Sequence, residues 1–465
     1  MGHRSQVFLP SILKIAISFI FDQIIAMAYI LFSVYALIAL AIIFWWRFFE
    51  VKGVKVRYLM TVFILKLVFG VTLSYIYSNH YTDRRTGDTY RFFDDAKILN
   101  SSKEDGIRTY FALLTGIGLE ENESAQVYYR RMTHMERKYY TGFPNDNATI
   151  IRANALIMNF SGGYYLVHIV FWCFFSMIGL TALLKFLIQY FPRKIWALFF
   201  SIYLLPTTLF WGSGVLKEPI LILGLGLFLA GFFKYIYGEH EKADIASGIF
   251  GFILLIFTKG YVLICMLPAI LGLILVRAAK GRRFWLWFGI PHFLAVVLLF
   301  LGPYIGDGLK VSELMQLKQE AFYNVAATSN SGSIMNLPEI RGPVSVLINA
   351  PHALITTYFR PWPWEWEKAV YIPAALENTV LILALLIMIW NYRKPYGLNI
   401  PILAFAGSFV LVLGVITGEV VPVLGAVVRY KLPSLIFLFV LIFGLTDHIR
   451  LQRRIPLLRK FLRKL

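Results

Sequence analysis

Gly87-Asp88-Thr89-Tyr90-Arg91-Phe92-Phe93-Asp94-Asp95 carries three acids inside a polar segment, residues 79–161, that interrupts a series of long apolar runs. One such run, 58–78, ends just before the segment, and another, 162–190, begins just after it. Each is long enough to cross roughly 30 Å of hydrocarbon, which takes about 20 helical residues. Farther out, 24–46, 214–237, 284–302, 370–390, 399–417 and 422–445 meet the same length, while 9–22, 195–211, 246–257 and 261–276 are shorter or broken. The pattern predicts an all-α polytopic transmembrane protein of ten to twelve membrane helices, one integral domain over 1–465. An early polar loop of 83 residues in such a chain points to chemistry at a membrane face.

Composition agrees. Apolar residues make up 58% of the chain and mean hydropathy is +0.66, against an apolar share of roughly 45–50% in soluble domains. The net charge of +19 would suit a nucleic-acid binder, but its placement excludes that partner. The segment 79–161 holds eleven acids and eleven bases, so the excess lies elsewhere. It sits in short loops at Arg47–Arg57, Arg193–Lys194, Arg277–Arg283 and Arg393–Lys394, and in a tail, 446–465, with seven bases from Arg450 onward. Lys and Arg in short loops mark the cytoplasmic side, which puts 79–161 and 303–369 together on the outer face. That alternation requires 246–276 to be a hairpin of half-helices with Lys259 at its outer tip. Cys173 and Cys265 lie in apolar runs and the histidines show no metal-ligand spacing, so neither a disulfide framework nor a zinc site is indicated.

Within the first outer loop, Phe92, Phe93, Ala96 and Leu99 recur at helical spacing, as in a helix lying in the interface. Segment 107–140 interleaves tyrosines with Arg130, Arg131, Arg137 and Lys138, a composition suited to the headgroup layer. The second outer loop, 303–369, is expected to hold an interfacial helix. It also contains Arg360-Pro361-Trp362-Pro363-Trp364-Glu365-Trp366-Glu367, a rigid aromatic turn.

Three constellations could carry chemistry. Asp88 with Asp94 and Asp95 comes first. If a helix begins near Thr89, Asp88 caps it and Asp95, two turns on, returns to the same face. Such carboxylates can take a proton from an acceptor hydroxyl, or hold Mg2+ or Mn2+ together with a phosphate through Asp88 and Asp95; helix capping and solvated loop charge are the alternative. Second are cations at membrane depth: Lys217, Arg429 and Lys431, with Arg360, Lys259 and Arg152 as further members. Burying such a charge costs roughly 2.5–3.5 kcal/mol on insertion scales, so each needs a partner, either an anionic headgroup or Glu218, Glu377 or Glu419. Third are Asn145, Asp146, Asn147, Arg152 and Asn154 at the return to the membrane, where capping accounts for most and Arg152 with Asn154 could line a polar pocket. No phosphate-binding glycine loop, dinucleotide fingerprint or nucleophile elbow is present.

Gly87-Asp88-Thr89 with Phe93-x-Asp95, Asn147 to Arg152, Trp211-Gly212-Ser213-Gly214-x-x-Lys217-Glu218, Arg360-Pro361-x-Pro363-Trp364-Glu365 and Arg429-Tyr430-Lys431-x-Pro433 resemble a bacterial group related to the GT-C superfamily of membrane glycosyltransferases. The resemblance implies a GT-C-like fold in the bacterial inner membrane with its site on the outer face. It implies transfer of a sugar from a polyprenyl-phosphate donor to a glycan, lipid or protein acceptor. Asp88, with Asp94 or Asp95 as alternates, would be base or metal ligand. Arg429 and Lys431, assisted by Lys217 and Arg360, would hold the donor phosphate. A polysaccharide polymerase or ligase usually keeps its main outer loop late. A flippase or transporter would use Lys217, Arg429 and Glu419 as a relay, but should show repeated halves, and none are found.

Overall fold

The computed structural model describes residues 8–80, 87–135, 145–238, 240–328, 333–365, 371–392 and 399–455. Arg137 and Lys138, Arg393 and Lys394, Trp366 and Glu367, and the tail beyond 455 lie outside the described residues. Among those described the chain is helical, and its only β pairings are three isolated bridges.

Among the described residues eight helices are long and apolar enough to cross a membrane: Ala26–Trp45, Val56–Asn79, Tyr165–Tyr190, Lys217–Tyr237, Lys242–Ala278, Phe284–Ile305, Ile372–Trp390 and Ile400–Val420. Leu424–Tyr430 and Leu432–Leu445, bent by 62° at Lys431, are together long and apolar enough for a ninth. With the two arms of Lys242–Ala278 taken separately, the described residues offer up to ten crossings, the lower end of ten to twelve, and two of the shorter runs add none. The runs 9–22 and 24–46 join in one helix, Phe8–Trp45. Segment 195–211 breaks into short pieces, ending in Pro206–Trp211, because Pro206 lacks the N–H that would continue the preceding turn.

Lys242–Ala278 decides the topology. A straight helix would hold Asp244 and Arg277 about 50 Å apart, at about 1.5 Å per residue. Instead Asp244 pairs with Lys234 at 2.6 Å and Arg277 donates to the carbonyl of Tyr235, the very next residue. The chain therefore folds back at Lys259, whose φ of −145° and ψ of 70° lie outside the helical region. The hairpin with Lys259 at its tip is present, but its arms, 242–258 and 260–278, are each about 25 Å or more of helix and so approach full spans rather than half-helices.

Small residues allow these helices to approach closely, as is common where lipid supplies no hydrophobic drive between them. Gly226 faces the carbonyl of Gly179, Gly224 meets Gly251, and Gly231 meets Gly248. These contacts lock Lys217–Tyr237 between Tyr165–Tyr190 and the first arm of the hairpin.

The first loop folds as Asp88–Ser101, Ile107–Thr115, Glu123–Arg131 and Asp146–Ser161. Phe92, Phe93, Ala96 and Leu99 are buried, as the spacing predicts. They are covered by protein rather than lipid: Phe93 packs edge-on against Tyr165 and His168, with ring centroids 5.1 and 4.8 Å away. The second loop holds two helices, Val311–Thr328 and Pro343–Phe359. Pro343–Phe359 runs antiparallel to Ile400–Val420, with Gly418 against Ala353 and Gly414 against Tyr358.

Candidate functional site

Asp88 is the first residue of its helix and not the cap, since Gly87 holds that position. Its carboxylate is thereby free to reach outward. Oδ2 of Asp88 accepts Nη1 of Arg429 at 3.1 Å, with Asp88 43% exposed and Arg429 13% exposed. Arg429 reaches this point because the last span breaks at Lys431, and Pro433 opens its second half.

Behind this pair lies a buried acid. Glu218 Oε1 accepts Arg429 Nε at 2.6 Å and Lys259 Nζ at 2.7 Å, and Glu218 is fully buried. The hairpin fold supplies Lys259, and the first turn of Lys217–Tyr237 supplies Glu218. Arg429 also lies over Trp211, 5.6 Å from the ring centroid, and Lys259 over Tyr430 at 4.6 Å. Lys217 joins from the other side: its Nζ donates to Asp146 Oδ2 at 2.7 Å and to Asn147 Oδ1 at 2.6 Å. It stands 5.3 Å from the ring centroid of Phe92, on the Asp88 helix. The result is a run of alternating charge, Asp88–Arg429–Glu218–Lys259, with Lys217–Asp146 beside it. Buried ions paired in this way avoid the several kcal/mol that isolated charges cost.

The other residues named from the sequence fall elsewhere. Asp95 is 2% exposed, and its carboxylate is a clasp. Oδ1 accepts the backbone N–H of Thr133 at 3.0 Å, and Oδ2 accepts those of His134 and Met135 at 2.6 and 3.1 Å. The oxygens of Asp95 are thus engaged by backbone donors, whereas the carboxylate of Asp88 faces Arg429. Asp94 is half-buried on the same helix. Arg360 turns back on Glu365 within its own aromatic turn. Lys431 is fully buried in a separate polar pocket, donating to Asn378 Oδ1 at 2.7 Å. Nearby, Glu377 accepts the backbone N–H of Thr207 at 2.7 Å.

Arg152 donates to the carbonyl of Leu113 at 3.2 Å and lines a cavity of about 240 Å³ with Tyr129, Asn145, Thr149 and Phe257. Burial lowers its basicity below the ordinary guanidinium value. Asn154 is not in that cavity. It is fully buried and holds His168 at 2.7 Å and the Trp172 indole at 3.0 Å.

Sequence reasoning undervalued Asp146 and Asn147 as capping residues. Asn145 performs the capping, accepting the N–H groups of Asn147 and Ala148, which leaves the next two side chains to hold Lys217. Three polar residues in a row before a helix that needs one cap were the available signal. Glu218, named only as a possible salt-bridge partner, is the hub of the cluster. The chain is a multi-pass membrane protein, helical throughout its described residues, which hold this mixed-charge cluster, and no protein-family model, curated protein or solved structure matches it.

Proposed function

We propose that the protein is a membrane glycosyltransferase that moves a sugar from a polyprenyl-phosphate donor to a glycan, lipid or protein acceptor at the outer face of a bacterial inner membrane. The observation that carries this reading is the pairing of Asp88 with Arg429. An exposed carboxylate able to act as base stands 3.1 Å from a guanidinium suited to a phosphate, and Lys217 and Lys259 lie close by. In that role Arg429 stabilises the charge left on the departing phosphate, and Asp88 takes the proton of the acceptor hydroxyl. Asp94 is the alternate acid. Asp95, Lys431, Arg360 and Arg152 support the fold around the cluster.

The test is transfer of radiolabelled sugar from a panel of polyprenyl-phosphate sugars by the purified protein. Asp88→Asn and Arg429→Ala are expected to abolish transfer while the protein remains folded. If no donor is consumed although lipid-phosphate binding persists and depends on Arg429, a polymerase, ligase or flippase replaces this reading.

A further inference from the structure

We infer that Asp88 and the donor phosphate share one place on Arg429, and that the arriving phosphate displaces Asp88 and so releases the base. This rests on the glycosyltransferase reading and deepens it.

The geometry divides Arg429 into two sides. Its Nε is anchored by Glu218, fully buried, at 2.6 Å, and the group lies over Trp211. Its Nη1 faces Asp88, which is 43% exposed. A buried contact of this kind is costly to break, whereas an ion pair open to water contributes little net stability. Arg429 thus keeps its position while its outer partner exchanges. Guanidinium nitrogens bind phosphate oxygens as readily as carboxylate oxygens, often in pairs, so the same edge suits either anion.

Charge counting points the same way. Among the described ion pairs, Arg429, Lys259 and Lys217 are matched by Glu218, Asp146 and Asp88. Glu218 and Asp146 each hold a lysine, and Asp88 alone of the three acids bonds only to Arg429 in these pairs. With Asp88 turned from Arg429 toward the acceptor, the guanidinium edge it held is open to another anion. A polyprenyl-phosphate sugar is a phosphodiester with one negative charge and takes that edge.

The reaction then balances. The acceptor O–H gives its proton to the Asp88 carboxylate as the acceptor oxygen bonds to the anomeric carbon. The bond from that carbon to the phosphate oxygen breaks, and its electron pair stays on the phosphate beside Arg429. The products are the glycosylated acceptor and polyprenyl phosphate, and Asp88 returns to Arg429 as the phosphate leaves, losing its proton to water.

The experiment is titration of polyprenyl phosphate into the full-length protein in nanodiscs of uncharged lipid, read by native mass spectrometry. Wild type, Asp88→Asn, Asp88→Ala and Arg429→Ala are compared, with size-exclusion profile and melting as folding controls. Removing a resident competitor should tighten binding in both Asp88 variants by roughly fivefold, about what a partly exposed ion pair is worth. Arg429→Ala should weaken it by about tenfold or more. Unchanged or weaker binding in folded Asp88 variants overturns the exchange; if sugar transfer is still lost in them, the glycosyltransferase reading stands alone. A parallel titration with phosphatidic acid separates the sources of phosphate. Equal affinity and an equal gain there uphold the exchange while removing the polyprenyl donor from the reading.

Discussion

Glu218 and Arg429, separated by 211 positions, meet through a single oxygen: Oε1 of the acid accepts Arg429 Nε at 2.6 Å and carries Lys259 as well. One fully buried carboxylate thus pairs with two cations brought in by two different breaks, the fold-back at Lys259 and the bend at Lys431.

Glu218→Gln should be among the most damaging single changes in the chain. It leaves buried Lys259 without its anion and Arg429 with Asp88 alone, a loss of about 3–5 kcal/mol where one partner of a buried pair is removed. Lys259→Met should cost far less, because Glu218 keeps Arg429. Thermal unfolding of the purified variants in detergent checks the order, and equal stability of the two would refute it.

Asp95→Asn should loosen the first loop without touching the charge cluster. An amide offers one accepting oxygen where the carboxylate serves three backbone N–H groups, at a cost of about 2–3 kcal/mol for the donors left unmatched. Hydrogen exchange at residues 133–135 should rise. A variant with exchange as slow as wild type would show that the clasp is dispensable.

The same clasp carries a pH dependence through His134. Burial is the first cause that holds its imidazole below the ordinary value of 6.5, with the nearby Arg91 charge adding to it. The folded state therefore prefers neutral His134. Its stabilising share is fully present above 6.5 and is lost as pH falls below that value toward the lower folded one. Exchange at 133–135, corrected for its intrinsic rate, should be faster at pH 5.5 than at 7.5, and His134→Gln should flatten the difference.

Glu419→Met should stabilise the protein. Glu419 is 2% exposed, and among the described residues neither carboxylate oxygen has a hydrogen-bond partner. It borders an apolar cluster containing Val420, Val421 and Leu424. An unmatched buried polar group costs about 1–3 kcal/mol, which a thioether of similar volume removes. A lower melting temperature would show that the acid has a stabilising role.

Much of the bundle was legible because crossing hydrocarbon imposes a length and an apolar composition on each helix. The runs 58–78 and 284–302 became helices nearly as read. The amphipathic spacing of Phe92, Phe93, Ala96 and Leu99 correctly marked a helix, but spacing alone does not say whether lipid or protein covers the apolar face. Asp95 shows the limit most clearly. Two turns from Asp88 it should have joined the same site, yet residues 133–135, nearly forty positions on, claim its oxygens.

Hydropathy, charge placement and the early acidic segment established by themselves a many-helix membrane protein with an early polar loop, since desolvation of backbone and charge is a local, per-residue cost. Which acid meets which base was settled only by the tertiary structure. That choice depends on the backbone breaks at Lys259 and Lys431 and on close glycine contacts, and these place Glu218, Arg429 and Asp88 in contact across hundreds of residues.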